Sequence, residues 1–183
     1  MIKHLNFKAT LLASALLALS VAHAAPMAKA DYKAEKTRIK ADYAADKAAC
    51  GSQSGNAKDI CIEQGRGKER VALAELEYGY SGKPADRTKV LVAKAESSYA
   101  VAKERCDDLA GNPKSVCVKE AKAMQVKALA DAKLGKEIGE ARKDAAADKR
   151  DADYKVAAQK CDALAGDPKA SCIANAKATF GKL

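Results

Sequence analysis

The residues of this chain best placed to do chemistry are its six cysteines, and they fall into three blocks: "CGSQSGNAKDIC" (50–61), "CDDLAGNPKSVC" (106–117) and "CDALAGDPKASC" (161–172). Paired thiolates can hold a metal, exchange electrons or close a disulfide. Structural zinc sites draw on C-x2-C pairs or on mixed Cys and His ligands. Here ten residues separate the cysteines of each block, and the only histidines are His4 and His23. A redox pair would take the form C-x-x-C with an activated thiolate, which is absent. The spacing therefore points away from a metal, a cofactor or a redox centre. It leaves disulfides, which form where the compartment is oxidising.

The N-terminus supplies that compartment. "MIKHLNFK" carries Lys3 and Lys8, "ATLLASALLALSV" is uncharged and apolar, and small residues precede a cut between Ala24 and Ala25. This is the pattern of a secretory signal peptide over 1–24. Its apolar run is too short for a membrane span of about 20 residues, so no transmembrane segment is expected after cleavage. The expected location is the periplasm or outside the cell. Both histidines leave with the leader, and the formal charge falls from +9 to +7 because Lys3 and Lys8 go too.

The elements that position the cysteines repeat with them. Tyr43, Tyr99 and Tyr154 each stand seven residues before a block. Ile62, Val118 and Ile173 follow the second cysteines, and then come the small residues Gly65, Ala121 and Ala176. One unit is written three times, over 25–80, 81–136 and 137–183. In its second copy Val92, Ala95, Tyr99, Ala102, Cys106 and Leu109 fall on one helical stripe. Gly55, Gly111 and Gly166 read as helix stops in the left-handed conformation. Asn56, Asn112 and Asp167 read as N-caps of the next helix, with Pro113 and Pro168 at the first helical position. The expected helices are 30–54, 57–78, 85–110, 113–134, 140–165 and 168–181. "YGYSGKPAD" marks a break near 79–84, whereas Gly135 and Gly139 allow either a break or a kinked, continuous helix.

The expected fold is thus all-α: three tandem antiparallel helical hairpins, elongated or loosely bundled. A tight turn centred on each Gly-Asn or Gly-Asp brings the cysteines of one block together across the two helices. This predicts the pairs Cys50–Cys61, Cys106–Cys117 and Cys161–Cys172. The bridges matter because Leu, Ile, Val and Phe make up only 22 of the 159 residues left after cleavage, too few for a large core. Another 36 are Ala, which argues for helices with thin seams. Mirroring about the turn places each tyrosine opposite the residue 25 later: Lys68, Met124 or Thr179.

Catalysis has little to work with. Nucleophilic Ser or Cys chemistry needs an adjacent base, most often His, and none remains after export. Carboxylates alternate with Lys and Arg and read as solvated faces. "GRGKE" (65–69) lies in an expected helix after no strand, so it is not a phosphate loop. A non-enzymatic protein is expected. Lys-rich stretches such as "GKERVA" (67–72), "KSVCVKEAKAMQVKALADAK" (114–133) and "GKL" (181–183) could meet anionic envelope polymers, lipid headgroups or an envelope protein. Nucleic acid fits less well, because export removes it from reach.

The repeated Y-x6-C-D-x-L-A-G-[ND]-P-K-x2-C-[VI] resembles a family of small Ala/Lys-rich exported proteins of proteobacteria, often labelled cell-envelope-biogenesis or TolA-like proteins. The resemblance spans essentially the whole exported chain. It implies an envelope context and carries over no binding residues, since the likeness to TolA itself rests on Ala/Lys-rich helix. Two functions are expected from the whole: a structural or binding scaffold at the envelope or, as the alternative, a periplasmic stress chaperone that holds unfolded clients.

Overall fold

The computed structural model describes residues 27–182; the leader and the cleavage site at Ala24 and Ala25 lie outside the described residues. The chain forms α1 (Lys29–Ala49), a 3-10 turn (Cys50–Ser52), α2 (Gly55–Ser81), α3 (Pro84–Cys106), α4 (Gly111–Cys161) and α5 (Gly166–Phe180). No strand occurs among the described residues. Each helix packs only on its neighbours in the chain, most extensively α2 on α3. The result is an all-α series of disulfide-stapled antiparallel hairpins.

All three expected bridges are present, each with Cα atoms 5.7 Å apart, inside the range a disulfide can span. Cys50, Cys106 and Cys161 are the largest fully buried side chains, so in this chain the sulfurs themselves are the tightest packing. Around them the seams are built mainly of Ala93, Ala95, Ala121, Ala132 and Ala176, with Ile39, Leu76 and Val90. Small side chains let the helix axes approach, which is what a short disulfide across two helices requires.

The hairpin turns differ from the expected stop-and-cap design. The helices end earlier, at Ala49, Cys106 and Cys161, and the chain then passes through tight turns in which the N–H groups of Gln53, Leu109 and Leu164 bond the cysteine carbonyls. An extended residue follows (Ser54, Ala110 or Ala165). Gly55, Gly111 and Gly166 do take positive φ, near 60°, but they open the next helix instead of closing the last. A β-carbon would strain this backbone. Asn56, Asn112 and Asp167 consequently sit second in their helices. Asn56 does not cap α2; its Nδ2 donates to the carbonyl of Glu104 at 2.9 Å, tying the start of α2 to the end of α3. Asp167 still lies in the first turn of α5, where the helix dipole favours its charge. Leu109, placed on the seam by its spacing, is 43% exposed, because the helix ends at Cys106 and the 3.6-residue period ends with it.

The joint at 79–84 is a true break. Gly82 has φ of 63° and bonds the Tyr78 carbonyl, and Pro84 begins α3. Ser81 stitches the corner: its Oγ accepts from the Lys83 N–H and donates to Asp86 Oδ2 at 2.5 Å. Asp86 is 4% exposed, and Lys89 Nζ lies 2.8 Å from its Oδ1. The lysine and the serine hold its carboxyl below the ordinary Asp range. The unfolded chain therefore binds a proton more readily than the native one. The stabilisation is complete above the ordinary Asp pKa and is lost as pH falls through the lowered native value. We expect Asp86→Asn to lower Tm at pH 7 and to flatten its fall as pH drops below the ordinary Asp range, as measured by thermal unfolding at neutral and at acid pH.

At 135–139 there is no break. The helix runs unbroken from Gly111 to Cys161, about 77 Å at 1.5 Å per residue. The boundary between the second and third sequence units falls inside it, whereas the first boundary coincides with the end of α2. Two glycines weaken a helix by about 1 kcal/mol each, but neither Pro nor a cap accompanies them, and the surrounding Lys, Glu and Ala carry the helix through. The N-terminal part of α4 pairs with α3, and α5 doubles back on its far end, where Lys182 pairs with Asp151. Between these braces residues 144–150 are exposed apart from the half-buried Ala147.

Candidate functional surface

Two glycines two residues apart organise the N-terminal half. A β-carbon on Gly65 would lie 3.3 Å from Asp46 Cβ and 3.5 Å from the Tyr43 ring, on α1. One on Gly67 would lie 3.0 Å from Ser97 Cβ, on α3. Two residues correspond to about 200° of helix, so the pair gives α2 a close-contact patch on each side. "GRGKE" is thus a packing device, and Gly65 also accounts for Tyr43. The ring fills the space above the missing side chain, 22 residues on, in a groove that Lys68, paired with Asp46 at 3.1 Å, also lines. Tyr99 has the matching neighbourhood: Ala121 and Met124 line the same small cavity, and Lys122 Nζ stands 5.2 Å from the ring centre. At the far end of the first hairpin Tyr32 donates to Glu77 at 2.7 Å and packs its ring 4.6 Å from that of Tyr80. The hydrogen bond to Glu77 holds the Tyr32 phenol above its ordinary pKa.

The six cysteines are all oxidised, and no group of His, Cys, Asp or Glu among the described residues is arranged to hold a metal. What the surface offers is charge. The "GKERVA" segment is neutralised in place: Lys68 pairs with Asp46, and Arg70 lies 3.9 Å from Glu96. The segment 114–136 of α4 is different. At 100° per residue, Lys114, Lys119, Lys122, Lys133 and Lys136 fall within about 140° of the helix circumference, while Glu120 and Asp131 fall outside that arc. Lys114 pairs with Asp107 at 3.0 Å and Lys122 donates to Gln125, but Lys119 and Lys127 have no carboxylate partner among the described residues, and Lys133 and Lys136 make only long contacts, 3.8 and 3.7 Å, to Glu137 and Glu140. Val126, 53% exposed, stands in the middle of this face.

The opposite sign gathers on α1. Asp31, Glu35, Asp42 and Asp46 occupy about 60° of arc, interrupted once by Arg38, which binds both Glu35 and Asp42. The Arg38 guanidinium holds the Glu35 carboxyl below its ordinary range. With Glu69 and Glu75 of α2 these carboxylates rim a groove of about 600 Å³ whose floor includes Ile39 and Leu76. A second groove, of about 670 Å³ between α2 and α3, has Lys68, Lys94 and Arg105 and no carboxylate in its lining. Lys68 stands on the ridge between the two.

No match is found to this chain among protein-family models, curated proteins or solved structures. The surface must speak for itself. No helix among the described residues is long and apolar enough to cross a membrane, and three closed disulfides accord with an oxidising, extracytoplasmic setting. Sequence reasoning found the lysine stretch of α4 but took the acids of α1 for a mixed, solvated face. The signal was available in their spacing, at i, i+4, i+11 and i+15, which keeps them on one stripe.

Proposed function

We propose that this protein is a non-enzymatic scaffold or binding protein of the cell envelope that engages anionic envelope polymers or lipid headgroups through the lysine face of α4. The observation that supports it is the segregation within residues 114–136 of that helix: five lysines lie within one arc, Glu120 and Asp131 lie outside it, and the arc's first carboxylates are Glu137 and Glu140 at its C-terminal end. A helix already formed and braced by α3 presents those charges at fixed intervals, so no backbone ordering is left to do on binding. Lysines near an anionic lipid surface are worth about 1 kcal/mol each. The triple variant K119Q/K122Q/K133Q is therefore expected to bind vesicles containing anionic lipid on the order of 100-fold more weakly than the parent. Co-sedimentation with such vesicles at two salt concentrations measures this. Equal binding by parent and variant would remove the reading.

A second reading, a chaperone that holds unfolded clients, draws on the large apolar side chains α4 leaves in water: Met124, Leu134 and Ile138 are between 45% and 61% exposed. Suppression of the aggregation of a reduced client protein, lost in L134S/I138S and retained in the lysine variant, would favour it over the first.

A further inference from the structure

The chain carries an excess of positive charge, yet the groove between α1 and α2 is rimmed by six carboxylates against three cations: Arg38 on Glu35 and Asp42, Lys68 on Asp46, and Lys94 on Glu75. A concentration of one sign within a protein of the other calls for a cationic occupant, and the chain itself offers one. We propose that this acidic groove receives the lysine face of α4 from a second copy, giving a head-to-tail assembly.

Three features of the two surfaces agree. Their lengths are close: Asp31 to Asp46 spans about 22 Å and Lys119 to Lys136 about 26 Å. Their patterns match as well. The α1 stripe reads acid, acid, arginine, acid, acid, from Asp31 to Asp46. The α4 face reads two lysines (119 and 122), then Val126 and Leu129, then two lysines (133 and 136). The uncharged middle of one stripe thus falls where Arg38 interrupts the other, so the arginine meets no like charge. Finally, the groove has apolar residues at its floor, Ile39 and Leu76, to receive Val126 between the lysines, as in a helix-in-groove contact.

Within one chain the two surfaces do not meet, since α1 touches only α2 and the adjoining turn. The contact joins two different patches, so it closes into a ring or continues as an open chain according to the rotation between successive copies. The overall positive charge opposes association at low salt. At about 0.15 M the Debye length is near 8 Å, which screens the remainder of the molecule while leaving directly opposed stripes in contact. The inference does not depend on polymer binding. A polyanion on α4 would compete with the second copy.

The test is charge reversal on full-length, oxidised protein by sedimentation velocity at 0.15 M and 0.6 M salt, with circular dichroism confirming helix content. The parent is expected to show mass rising with concentration at 0.15 M and at least tenfold weaker association at 0.6 M. K119E/K122E/K133E and D31K/D42K should each be monomeric. Mixed in equal amounts they should form a 1:1 complex, because one retains the groove and the other the lysine face. The milder K119Q/K122Q/K133Q and D31N/D42N, which keep helix-compatible side chains, should weaken parent association at least tenfold. A parent that stays monomeric at 0.15 M, association indifferent to either reversal, or a mixture that remains two monomers would each overturn the proposal. A monomeric parent that still binds anionic vesicles would sink the assembly alone and leave the proposed function standing.

Discussion

Cys161→Ser with Cys172→Ser is expected to release α5 while α1 to α4 stay folded. The reason lies in how little else holds α5. It has fifteen residues, near the length below which an isolated helix is marginal in water. It packs only on α4, and its one buried residue is Ala176. Closing a loop of about a dozen residues contributes roughly 3 kcal/mol, a large share beside one buried alanine and the half-buried Ile173 and Phe180. The Lys169–Asp162 and Lys182–Asp151 pairs are exposed contacts of the kind worth about 0–1 kcal/mol. Hydrogen exchange should show protection lost over 166–180 and kept over 84–134. The same change at Cys50 and Cys61 should be milder, because Ile39, the Tyr43–Gly65 contact and the Tyr32–Tyr80 pair also hold α1 on α2. A C161S/C172S variant whose α5 amides remain protected would show that the seam suffices without the sulfurs.

Gly67→Leu is expected to be the most damaging single substitution in the N-terminal half. Its β-carbon alone would meet Ser97 Cβ at 3.0 Å, and the leucine would have to push α3 from α2 across the most extensive seam in the molecule. Overpacking of this kind costs about 1–3 kcal/mol. Loss of the Ser97 hydroxyl bond to the Gly67 carbonyl, 3.4 Å, and of the neighbouring ion pairs puts the expected effect at the upper end. The contrast is Gly135→Ala, where nothing lies within 4 Å of the added carbon. There the gain in helix propensity is unopposed, and about 0.5–1 kcal/mol of added stability is expected. Urea unfolding of both variants beside the parent measures the pair. If Gly67→Leu proved neutral, the two glycines would not be the close-contact points of α2.

How far the sequence reached follows from what each signal depends on. The hairpins and their sulfur pairs were legible because the three-fold repeat turns an ambiguous set of cysteines into one local geometry. The glycine positions in the turns were legible too, since only a left-handed backbone asks for glycine so regularly. Their role was not: whether such a glycine ends one helix or begins the next depends on the turn at Cys50, Cys106 or Cys161, and nothing in composition announces it. Leu109 was misplaced for the same reason. The continuity of α4 through Gly135 and Gly139 turned on the absence of a stop, a weaker signal than a stop itself. Gly65 and Gly67 looked like a failed phosphate loop, because close helix contact on two sides is a tertiary property. The acidic stripe on α1 needed only a helical count, but alternating charges along the chain concealed their alignment around the axis.

Since α4 is a single helix shared by two hairpins, the molecule has an angular gearing that a loop linker would lack. Every residue between the α3 seam and the α5 seam sets the direction in which α5 leaves the axis. One residue inserted among 144–150 would advance α5 by about 1.5 Å and turn it by about 100°, aiming it away from its present side of the molecule. Seven would return it to within about 20° of its original bearing, roughly 10 Å further along. The bare turns of α4 between the two braced ends therefore act as a shaft, and its residue count records how the two ends face one another.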